Sequence, residues 1–336
     1  MIKSSHISSK DVAKAAGVSQ ATVSYVLNNV AGVKIKPETR ELVLATAKRL
    51  NYHPNVIARS MRLKRSMSIG IVSDKNVSNF NFMKTLEGIK DALLPQNYSI
   101  TLCFERSAEI ETAEHIRYYN SNRIDGIIFA LAHLADDHHA YLVRHNIPFV
   151  VIHPNLQAEM ANLVKTELDS AIAAAVASLT RKGVSEIAFW GTGAGDPADR
   201  RFRGYCKALS HYQLAFNDQI LLKTLPGETG LADTFDQYLR DRGHLPRAVL
   251  CETTTIGFQL LRYAAAHQIA VPREMAVIAI GASRFSPLSA PALSAIESPL
   301  YDMGFTGCEM LFDIMNGNSH QHLVVLEWTL VERESS

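Results

Sequence analysis

The sequence is poor in the residues that build metal centres, disulfide frameworks and membrane spans. Its 336 residues include only four cysteines, which lie far apart and form no CxxC or Cys/His ligand spacing: Cys103, Cys206, Cys251 and Cys308. This argues against a disulfide framework and a structural zinc site, and it favours the reducing cytoplasm. The first ten residues hold no apolar stretch, and no run approaches the ~18 consecutive apolar residues of a membrane span. We therefore expect neither export nor membrane insertion.

Acidic residues are scarce at the N-terminal end of the chain. Residues 1–66 contain three of them against twelve Lys and Arg, so this segment carries a net charge of +9. The rest of the chain contains 22 basic and 30 acidic residues, a net charge of −8. A basic segment joined to an acidic body indicates a module that binds a polyanion, although a charge excess by itself can also be a solvated surface.

The basic segment has the pattern of three short helices. Ser8 and Asp11 form the S-x-x-D pattern of a capping box at the start of the first helix, and Gly17 ends it. Ser19 is a good N-cap for a second helix over 20–28. Pro37 fits the first turn of a third helix, whose apolar stripe we predict to include Leu42, Ala45 and Leu50.

The first two helices match a helix-turn-helix, in which the second helix enters the major groove of DNA with its N-terminal residues against the base edges. The spacing of Val23, Val26 and Leu27 turns them towards the first helix. The residues left on the opposite face are Gln20, Ala21, Ser24 and Tyr25. Gln can bond adenine through two hydrogen bonds, Ala can contact a thymine methyl group, and Ser or Tyr can donate to a base or a phosphate. The alternative is an ordinary amphipathic helix pair that packs on the body of the protein.

After position 66, β-branched and apolar runs alternate with helical stretches in two successive sets. The first set of predicted strands is 67–72, 98–104, 125–131 and 148–153, and the second is 186–191, 220–225, 247–252 and 275–280. This alternation predicts two parallel-sheet subdomains. Because ligands bind at the carboxyl ends of the strands in open α/β sheets, a cleft between the subdomains is the expected small-molecule site.

On these residues the chain resembles the lactose/galactose repressor (LacI/GalR) family. The resemblance covers the whole chain and rests on DVAKAAGVSQATVSYVLN (11–28), KPETRELVLATAKRLNYHPNVIARSM (36–61), SIGIV (68–72), RFRGY (201–205), PALSAI (291–296) and MGFTGCEMLFDIMNG (303–317). It implies a DNA-binding transcription regulator, usually a repressor, that binds a pseudo-palindromic operator in double-stranded DNA as a homodimer. It also implies that the protein is not an enzyme.

The implied fold class is α/β, with an N-terminal helix-turn-helix headpiece and a two-subdomain, periplasmic-binding-protein-like core that the chain crosses three times. The predicted divisions are a helix-turn-helix domain over 1–54, a hinge helix and linker over 55–66, a core N-subdomain over 67–163 with 298–321, and a core C-subdomain over 164–297 with 322–336. The family's optional tetramerising helix has no counterpart after the last strand, so we expect a dimer.

The resemblance also assigns DNA contacts position by position. Gln20, Ala21 and Tyr25 fall where family members read the major groove. The positions that hold phosphates are Ser19, Thr22, Ser24, Asn28 and Thr39. Family members most often have an arginine where this chain has Tyr25, so its operator is expected to differ there.

The hinge departs from the family at one position. Met61 replaces the leucine that family members insert into the minor groove, and methionine is also an apolar wedge between base steps. The other hinge residues expected along that groove and its phosphates are Asn55, Ala58, Arg59 and Arg62. Because isolated helices shorter than about 12 residues are marginal, we predict that 55–63 orders only when two copies pack together on DNA.

The expected effector site departs from the family more strongly. Arg201 matches the arginine that clamps a sugar or purine, but Cys251 and Glu252 replace an Asn-Asp pair, and His153 stands where several members have aspartate. Gly281, Ala282 and Ser283 replace an aromatic residue and paired polar groups. We predict a site for a sugar, sugar phosphate or nucleoside from Phe80, Phe82, His153, Arg201 and Glu252. The two phenylalanines could equally be core, and a protein corepressor or the absence of any effector are the open alternatives.

Motifs for enzyme chemistry are weak. GTGAG (191–195) follows a strand but is neither GxGxxG nor a P-loop. HLADDHH (133–139) collects potential metal ligands, but consecutive side chains do not converge easily, so we interpret it as a solvated helix start. We expect no metal and no cofactor. The alternative functions are an α/β sugar- or nucleoside-processing enzyme with a basic head and, less favoured, an architectural DNA binder.

Overall fold

The structure, a computed structural model, describes residues 7–27, 32–52, 65–103, 110–154, 156, 162–216, 218–223, 231–318 and 323–336. The chain forms two compact units, a headpiece over Met1–Met67 and a core over Ser68–Ser336. No helix in the described part of the chain is both long and apolar enough to span a membrane.

The described part of the headpiece contains three helices, α1 (Ser9–Ala16), α2 (Gln20–Leu27) and α3 (Pro37–Arg49). At the start of α1 the Asp11 carboxylate accepts hydrogen bonds from the Ser8 backbone N–H at 2.8 Å and from the Ser8 hydroxyl at 2.6 Å. These two bonds hold the pKa of Asp11 below its usual value. Gly17 ends the helix with a left-handed φ of 65°, a conformation that glycine adopts without strain. The predicted capping box and helix stop are confirmed.

The predicted stripe of α3 is confirmed at Leu50, which packs against the headpiece core, but it is wrong at Leu42 and Ala45. Leu42 is 49% exposed and Ala45 is also exposed, whereas Val43, Thr46 and Ala47 are buried. Successive residues of an α-helix are about 100° apart, so a shift of one residue turns a different face inward. The inward face of α3 packs with α1 and α2 in one small core: Val12, Ala13, Ala16, Val23, Val26, Val43 and Ala47.

The core contains two six-stranded sheets. The strands of the first are β1 (Ser68–Val72), β2 (Ser99–Cys103), β3 (Gly126–Ala130), β4 (Phe149–Ile152), β5 (Leu163–Glu167) and β11 (Leu323–Glu327). The strands of the second are β6 (Ile187–Gly191), β7 (Leu221–Lys223), β8 (Ala248–Cys251), β9 (Ala276–Ile280), β10 (Ser294–Glu297) and β12 (Thr329–Val331). The orders are β11-β5-β4-β3-β1-β2 and β12-β10-β9-β8-β6-β7. All neighbours are parallel except β10 and β12.

The described part of the core also contains eight helices. They are α4 (Phe80–Leu93), α5 (Glu114–Asn120), α6 (Asp136–Arg144), α7 (Asp169–Arg181), α8 (Arg200–His211), α9 (Leu231–Arg242), α10 (Thr254–Ala266) and α11 (Leu300–Met315). Single 3₁₀ turns occur at Leu94–Gln96, Ile110–Thr112, Asp218–Ile220 and Ser286–Leu288. The central strands β1, β3, β6 and β9 are buried along their whole length, as expected of parallel strands covered on both faces.

The chain passes between the two sheets three times, after β5, after β10 and after β11. Strand pairing puts β5 and β11 in the first sheet, whereas the predicted boundaries at 163/164 and 321/322 assign nearly all of both strands to the second subdomain. Both boundaries were therefore predicted too early. In β5 (LVKTE) the sequence turns polar after two apolar residues, and β11 (LVVLE), although apolar in sequence, is an edge strand with one half-buried and one exposed face. Neither strand therefore has both the apolar run and the burial of a central strand.

Candidate nucleic-acid interface and ligand cleft

The two faces of α2 divide as predicted. Val23 and Val26 are buried against α1 and α3, and Leu27 is half-buried. On the opposite face Gln20, Ala21 and Tyr25 are exposed, and Ser24 is half-buried. The aromatic side chain of Tyr25 is 37% exposed. The α2 reading face, which we define as Gln20, Ala21, Ser24 and Tyr25, is therefore presented to solvent.

The start of α2 is held by hydroxyl groups. The Thr22 backbone N–H donates to Ser19 Oγ at 3.1 Å, and the Ser19 and Thr22 hydroxyl oxygens lie 2.9 Å apart. This capping leaves the N-terminal end of the helix, where backbone N–H groups and the helix dipole favour anions, at the exposed surface. Thr39 is half-buried in the first turn of α3. Binding of phosphate by Ser19, Thr22, Ser24 and Thr39 stays a prediction.

Gln20 also has a specific partner. Its side-chain Nε2 donates a hydrogen bond to Ser9 Oγ at 2.7 Å. Ser9 is the first residue of α1 and Gln20 is the first residue of α2. Sequence reasoning missed this contact because the two residues are eleven positions apart and belong to different helices.

Exposed cationic side chains surround these helices. Lys10, Lys14, Lys34, Lys36, Lys48 and Arg49 are all exposed. The predicted contacts Asn28, Asn55, Ala58, Arg59, Met61 and Arg62 lie outside the described residues.

In the core, two of the predicted ligand-binding residues bind each other. Arg201 lies in the first turn of α8, and Glu252 directly follows β8. Arg201 Nη1 donates to Glu252 Oε1 at 3.1 Å. The Glu252 side chain is only 7% exposed, whereas that of Arg201 is 32% exposed. The guanidinium that the family resemblance assigns to a ligand is thus paired with a buried carboxylate of the same protein.

The GTGAG loop after β6 completes the environment of Glu252. The Thr192 hydroxyl donates to the carboxylate at 3.1 and 3.2 Å, and the Gly193 backbone N–H donates to Glu252 Oε2 at 3.0 Å. A Cβ atom on Gly191 would lie 2.1 Å from Glu252 Oε2, so only glycine leaves room for the carboxylate there. This loop therefore binds a carboxylate of its own chain.

The two predicted phenylalanines separate. The Asn79 side chain accepts a hydrogen bond from the Phe82 backbone N–H at 3.0 Å and so caps α4. Phe80 is 36% exposed at the first position of α4, whereas Phe82 is 2% exposed. Phe82 packs with Ile69, Ile71 and other core side chains. The prediction that Phe82 contacts a ligand is wrong, because its position on the helix turns the ring into the apolar interior.

His153 follows β4 at the same end of the first sheet as Phe80, which follows β1. The His153 side chain is half-buried, and this burial lowers its pKa. Lys75 and His133 lower the pKa further, whereas Asp74 raises it. This shift favours the neutral form of the His153 imidazole. Lys75 is paired with Asp74 at 3.0 Å.

Arg200, the neighbour of Arg201, bridges the two subdomains. Its Nη1 donates to the Pro154 carbonyl oxygen at 2.6 Å, and its Nη2 donates to the Thr166 carbonyl oxygen at 2.7 Å. Both carbonyls belong to the first-sheet side, at the end of β4 and in β5, whereas Arg200 begins α8 of the second subdomain. Sequence reasoning could not single it out, because RRFR contains three arginines of equal appearance.

The bridge extends to the third chain crossing. The Thr166 hydroxyl donates to the Pro154 carbonyl at 2.8 Å, and Trp328 Nε1 donates to Thr166 Oγ1 at 2.7 Å. Trp328 lies between β11 and β12, where the chain passes to the second sheet for the last time. Arg200, Thr166 and Trp328, with the Pro154 carbonyl, form the interdomain bridge.

In the described part of the chain, no three His, Cys, Asp or Glu side chains converge as metal ligands. His138 and His139 of the HLADDHH segment lie instead near aromatic rings, with His139 edge-on to Phe149 at 5.6 Å between ring centroids.

Comparison with known proteins identifies two domains. Residues 9–55 match the family described as bacterial regulatory proteins, lacI family, and residues 176–336 match a periplasmic binding protein-like domain. The chain is 31% identical over 336 residues to the HTH-type transcriptional regulator RegA of Clostridium acetobutylicum, which covers 97% of this chain and 98% of RegA. It is 29% identical over 307 residues to catabolite control protein A of Staphylococcus epidermidis, which covers 91% of this chain and 92% of that protein.

The fold also matches solved structures. A lac repressor dimer bound to operator and the anti-inducer ONPF superimposes with a TM-score of 0.72, at 22% identity and over 98% of both chains. A complex of the transcriptional regulator CelR with cellobiose superimposes with a TM-score of 0.64, at 24% identity, over 98% of this chain and 100% of CelR.

Proposed function

Because the chain belongs to the lacI family of bacterial regulatory proteins, and is therefore a DNA-binding transcription regulator and not an enzyme, we propose that it represses genes of carbohydrate or nucleoside use. The observation that carries this proposal is the exposed α2 reading face on a headpiece whose basic side chains point to solvent. Phosphate contacts from such side chains supply most of the affinity for DNA, and the reading face supplies the sequence preference. Membership of the family extends the proposal to a homodimer on a pseudo-palindromic operator, acting in the cytoplasm where the DNA is.

The cleft supports an uncharged effector. Arg201 is paired with Glu252, Lys75 with Asp74, and Arg200 donates to two carbonyl oxygens. Burial lowers the pKa of His153 and so favours its neutral form. A phosphorylated ligand would bring two negative charges close to the buried Glu252 carboxylate, which already matches the charge of Arg201. Hydroxyl groups can instead hydrogen-bond to a carboxylate and a guanidinium without a charge mismatch. Within the predicted classes, this favours a sugar or a nucleoside over a sugar phosphate.

Selection of binding sites from random DNA by the full-length protein tests the regulatory half of the proposal. The expected result is one pseudo-palindromic consensus, because a dimer with a twofold axis reads two equivalent half-sites. Recovery of no consensus contradicts the proposal and favours the enzyme or architectural alternatives. The genes that lie beside genomic copies of the consensus then indicate the metabolite.

Thermal unfolding with matched ligand pairs tests the effector half. Each neutral sugar or nucleoside is compared with its phosphorylated form at the same concentration. A ligand at 100 times its dissociation constant adds about 2.7 kcal/mol to the free energy of unfolding. We expect stabilisation by a neutral member of the panel and none by its phosphate, and the opposite ranking contradicts the proposed ligand class.

A further inference from the structure

We propose that the outward face of α3 is a contact surface for a second copy of this protein bound at a neighbouring operator. The surface consists of Glu38, Leu42, Ala45 and Arg49, which we call the α3 outer stripe. The inference goes beyond the proposed function but rests on it, because DNA must bring the two copies together.

The four residues of the α3 outer stripe lie on one line along the helix. Their intervals of four, three and four residues keep the side chains within about 60° of one another around the helix axis. All four residues are exposed, and Leu42 is 49% exposed. The opposite face of α3 packs against α1 and α2 in the headpiece core. The stripe therefore points away from α2, so a headpiece that binds DNA through α2 leaves it open to another protein.

The α3 outer stripe has an acidic end, an apolar middle and a basic end. Glu38 lies in the first turn of α3 and Arg49 in the last turn, with Leu42 and Ala45 between them. A single exposed leucine is ordinary on a protein surface. Here, however, the leucine lies between opposite charges on the same line of the helix, and a second helix of the same sequence can match this pattern.

The stripe is complementary to itself when two copies of α3 run antiparallel. Because the intervals read the same in both directions, one register places Glu38 against Arg49 of the second copy and Leu42 against Ala45 of the second copy. A twofold axis repeats both contacts, as in isologous interfaces. A parallel arrangement would instead bring Glu38 near Glu38 and Arg49 near Arg49, and like charges repel each other. The charges therefore select the antiparallel contact.

This contact is too small to hold two copies together in solution. Four side chains from each copy bury far less than the roughly 1,200 Å² at which stable interfaces begin. Exposed ion pairs also contribute little each. Copies bound at adjacent operators, in contrast, meet at a high effective concentration, at which a weak contact suffices. We therefore expect cooperative occupancy of paired operators and no added self-association in solution.

The test uses the full-length protein and DNA fragments that carry either one or two copies of the operator selected from random DNA. The spacing of the two operators is varied in single base pairs over a full helical turn. Cooperativity is the affinity for the second operator divided by the affinity for an isolated operator. We expect it to reach about 5- to 150-fold, the usual range for coupled sites. It should occur in one window of spacings, because half a helical turn places the second headpiece on the opposite side of the DNA.

Leu42→Gln should remove most of this cooperativity, because a polar amide replaces the apolar group in the middle of the stripe. Leu44→Gln is the matched control. Leu44 is 47% exposed on the same helix, but it lies about 130° around the axis from the stripe. It should keep the cooperativity of the wild type. Both variants should keep the wild-type melting temperature and affinity for a single operator, since both side chains are at the surface.

Exchange of charges tests the antiparallel pairing. Glu38→Arg and Arg49→Glu each place like charges opposite each other in the twofold contact, so each should abolish cooperativity. The double variant Glu38→Arg/Arg49→Glu again places opposite charges together and should regain most of it. Because such changes also alter the general attraction to DNA, each ratio is taken against the same variant on a single operator.

Three results would overturn the inference: no cooperativity of the wild type at any spacing, equal cooperativity in Leu42→Gln and Leu44→Gln, and no recovery in the double charge variant. A loss of affinity for a single operator in Leu42→Gln would place the stripe within one dimer or against DNA, and it would equally contradict a contact between neighbouring copies. Failure of the proposed function looks different, since the wild type would then select no operator at all, and the inference would fall with it.

Discussion

Glu252 determines much of the chemistry of the ligand cleft. Its carboxylate is buried and accepts hydrogen bonds from Arg201, from the Thr192 hydroxyl and from the Gly193 backbone. These donors stabilise the charged form of a group that would otherwise be costly to bury. In return, the carboxylate neutralises the arginine that family resemblance assigns to the ligand. At the proposed effector site, Arg201 and Glu252 therefore form a hydrogen-bonded pair instead of a bare cation.

Glu252→Gln should alter both stability and ligand choice. The amide keeps the size of the side chain but leaves the Arg201 charge unmatched and brings an NH₂ group against existing donors. We expect a loss of about 1–3 kcal/mol in the free energy of unfolding, measured by chemical denaturation. We also expect stabilisation by inorganic phosphate that the wild type lacks. In Glu252→Gln/Arg201→Gln the phosphate effect should vanish; its persistence would show that Arg201 is not the group responsible.

Tyr25 is the residue of the reading face that differs most in chemistry from the family pattern. Its exposed ring can contact a base or donate to a phosphate, but it cannot make the two donations of a guanidinium to guanine. Tyr25→Arg should therefore create a guanine preference of about 5- to 150-fold at one base pair of each half-site. Repeating the binding-site selection with this variant measures it. An unchanged consensus would mean that position 25 does not approach a base edge.

At the scale of elements, α4 and α11 pack through backbone contacts. A Cβ atom on Gly304 would lie 2.0 Å from the Thr85 carbonyl oxygen, and one on Gly88 would lie 2.0 Å from the Tyr301 carbonyl oxygen. Backbone cannot move aside as a flexible side chain can, so these two helices approach closely only because both positions are glycine. The contact supports β3 and β4, over which α11 lies.

Gly304→Ala should push the two helices apart. Overpacking of this kind costs about 1–3 kcal/mol, against a gain of up to about 1 kcal/mol from better helix propensity. Gly204→Ala in α8 is the matched control, because its nearest neighbour is the end of the flexible Ile172 side chain at 2.8 Å. In thermal unfolding, the melting temperature of Gly304→Ala should be clearly lower than that of Gly204→Ala. Equal melting temperatures would contradict the close packing of the helices.

Sequence patterns predict the central elements better than the peripheral ones. The eight predicted strands all occur, mostly within a residue of the predicted ends, because apolar runs such as GIIFA and AVIAI are buried on both sides. Strands β5, β10, β11 and β12 were missed, since short or edge strands bury few residues and carry weak periodicity. Prediction of the ligand-binding residues from the sequence is limited in the same way. Residue type and position indicate Arg201 and Glu252 as ligand-binding residues. Only the tertiary structure shows that these two side chains form an ion pair and that Phe82 belongs to the apolar core.

At the scale of the whole molecule, the two subdomains of the core are joined by specific hydrogen bonds. The interdomain bridge supplies a defined contact between them, because Arg200 donates to carbonyl oxygens on the other side of the cleft and Trp328 anchors the same region at the last chain crossing. Burial lowers the pKa of Arg200, but an arginine stays charged in proteins, so the bridge persists across the physiological pH range.

Arg200→Met should loosen this contact. Methionine has a similar length but cannot donate to the Pro154 and Thr166 carbonyl oxygens. We expect the free energy of unfolding of the core to fall by about 1–3 kcal/mol and the operator affinity to change with it. Arg203→Met, from the same helix, is the control. If both variants unfold alike and bind the operator alike, Arg200 has no special role between the subdomains.

Sequence-specific DNA binding is the property on which the whole account depends. It is tested most directly by the dissociation constants of the full-length protein for its selected operator and for a shuffled sequence of equal length and composition, at one physiological salt concentration. We predict that the operator binds at least about 10³-fold more tightly, as specific regulators do. Equal affinities for the two sequences would contradict a repressor that reads DNA through α2.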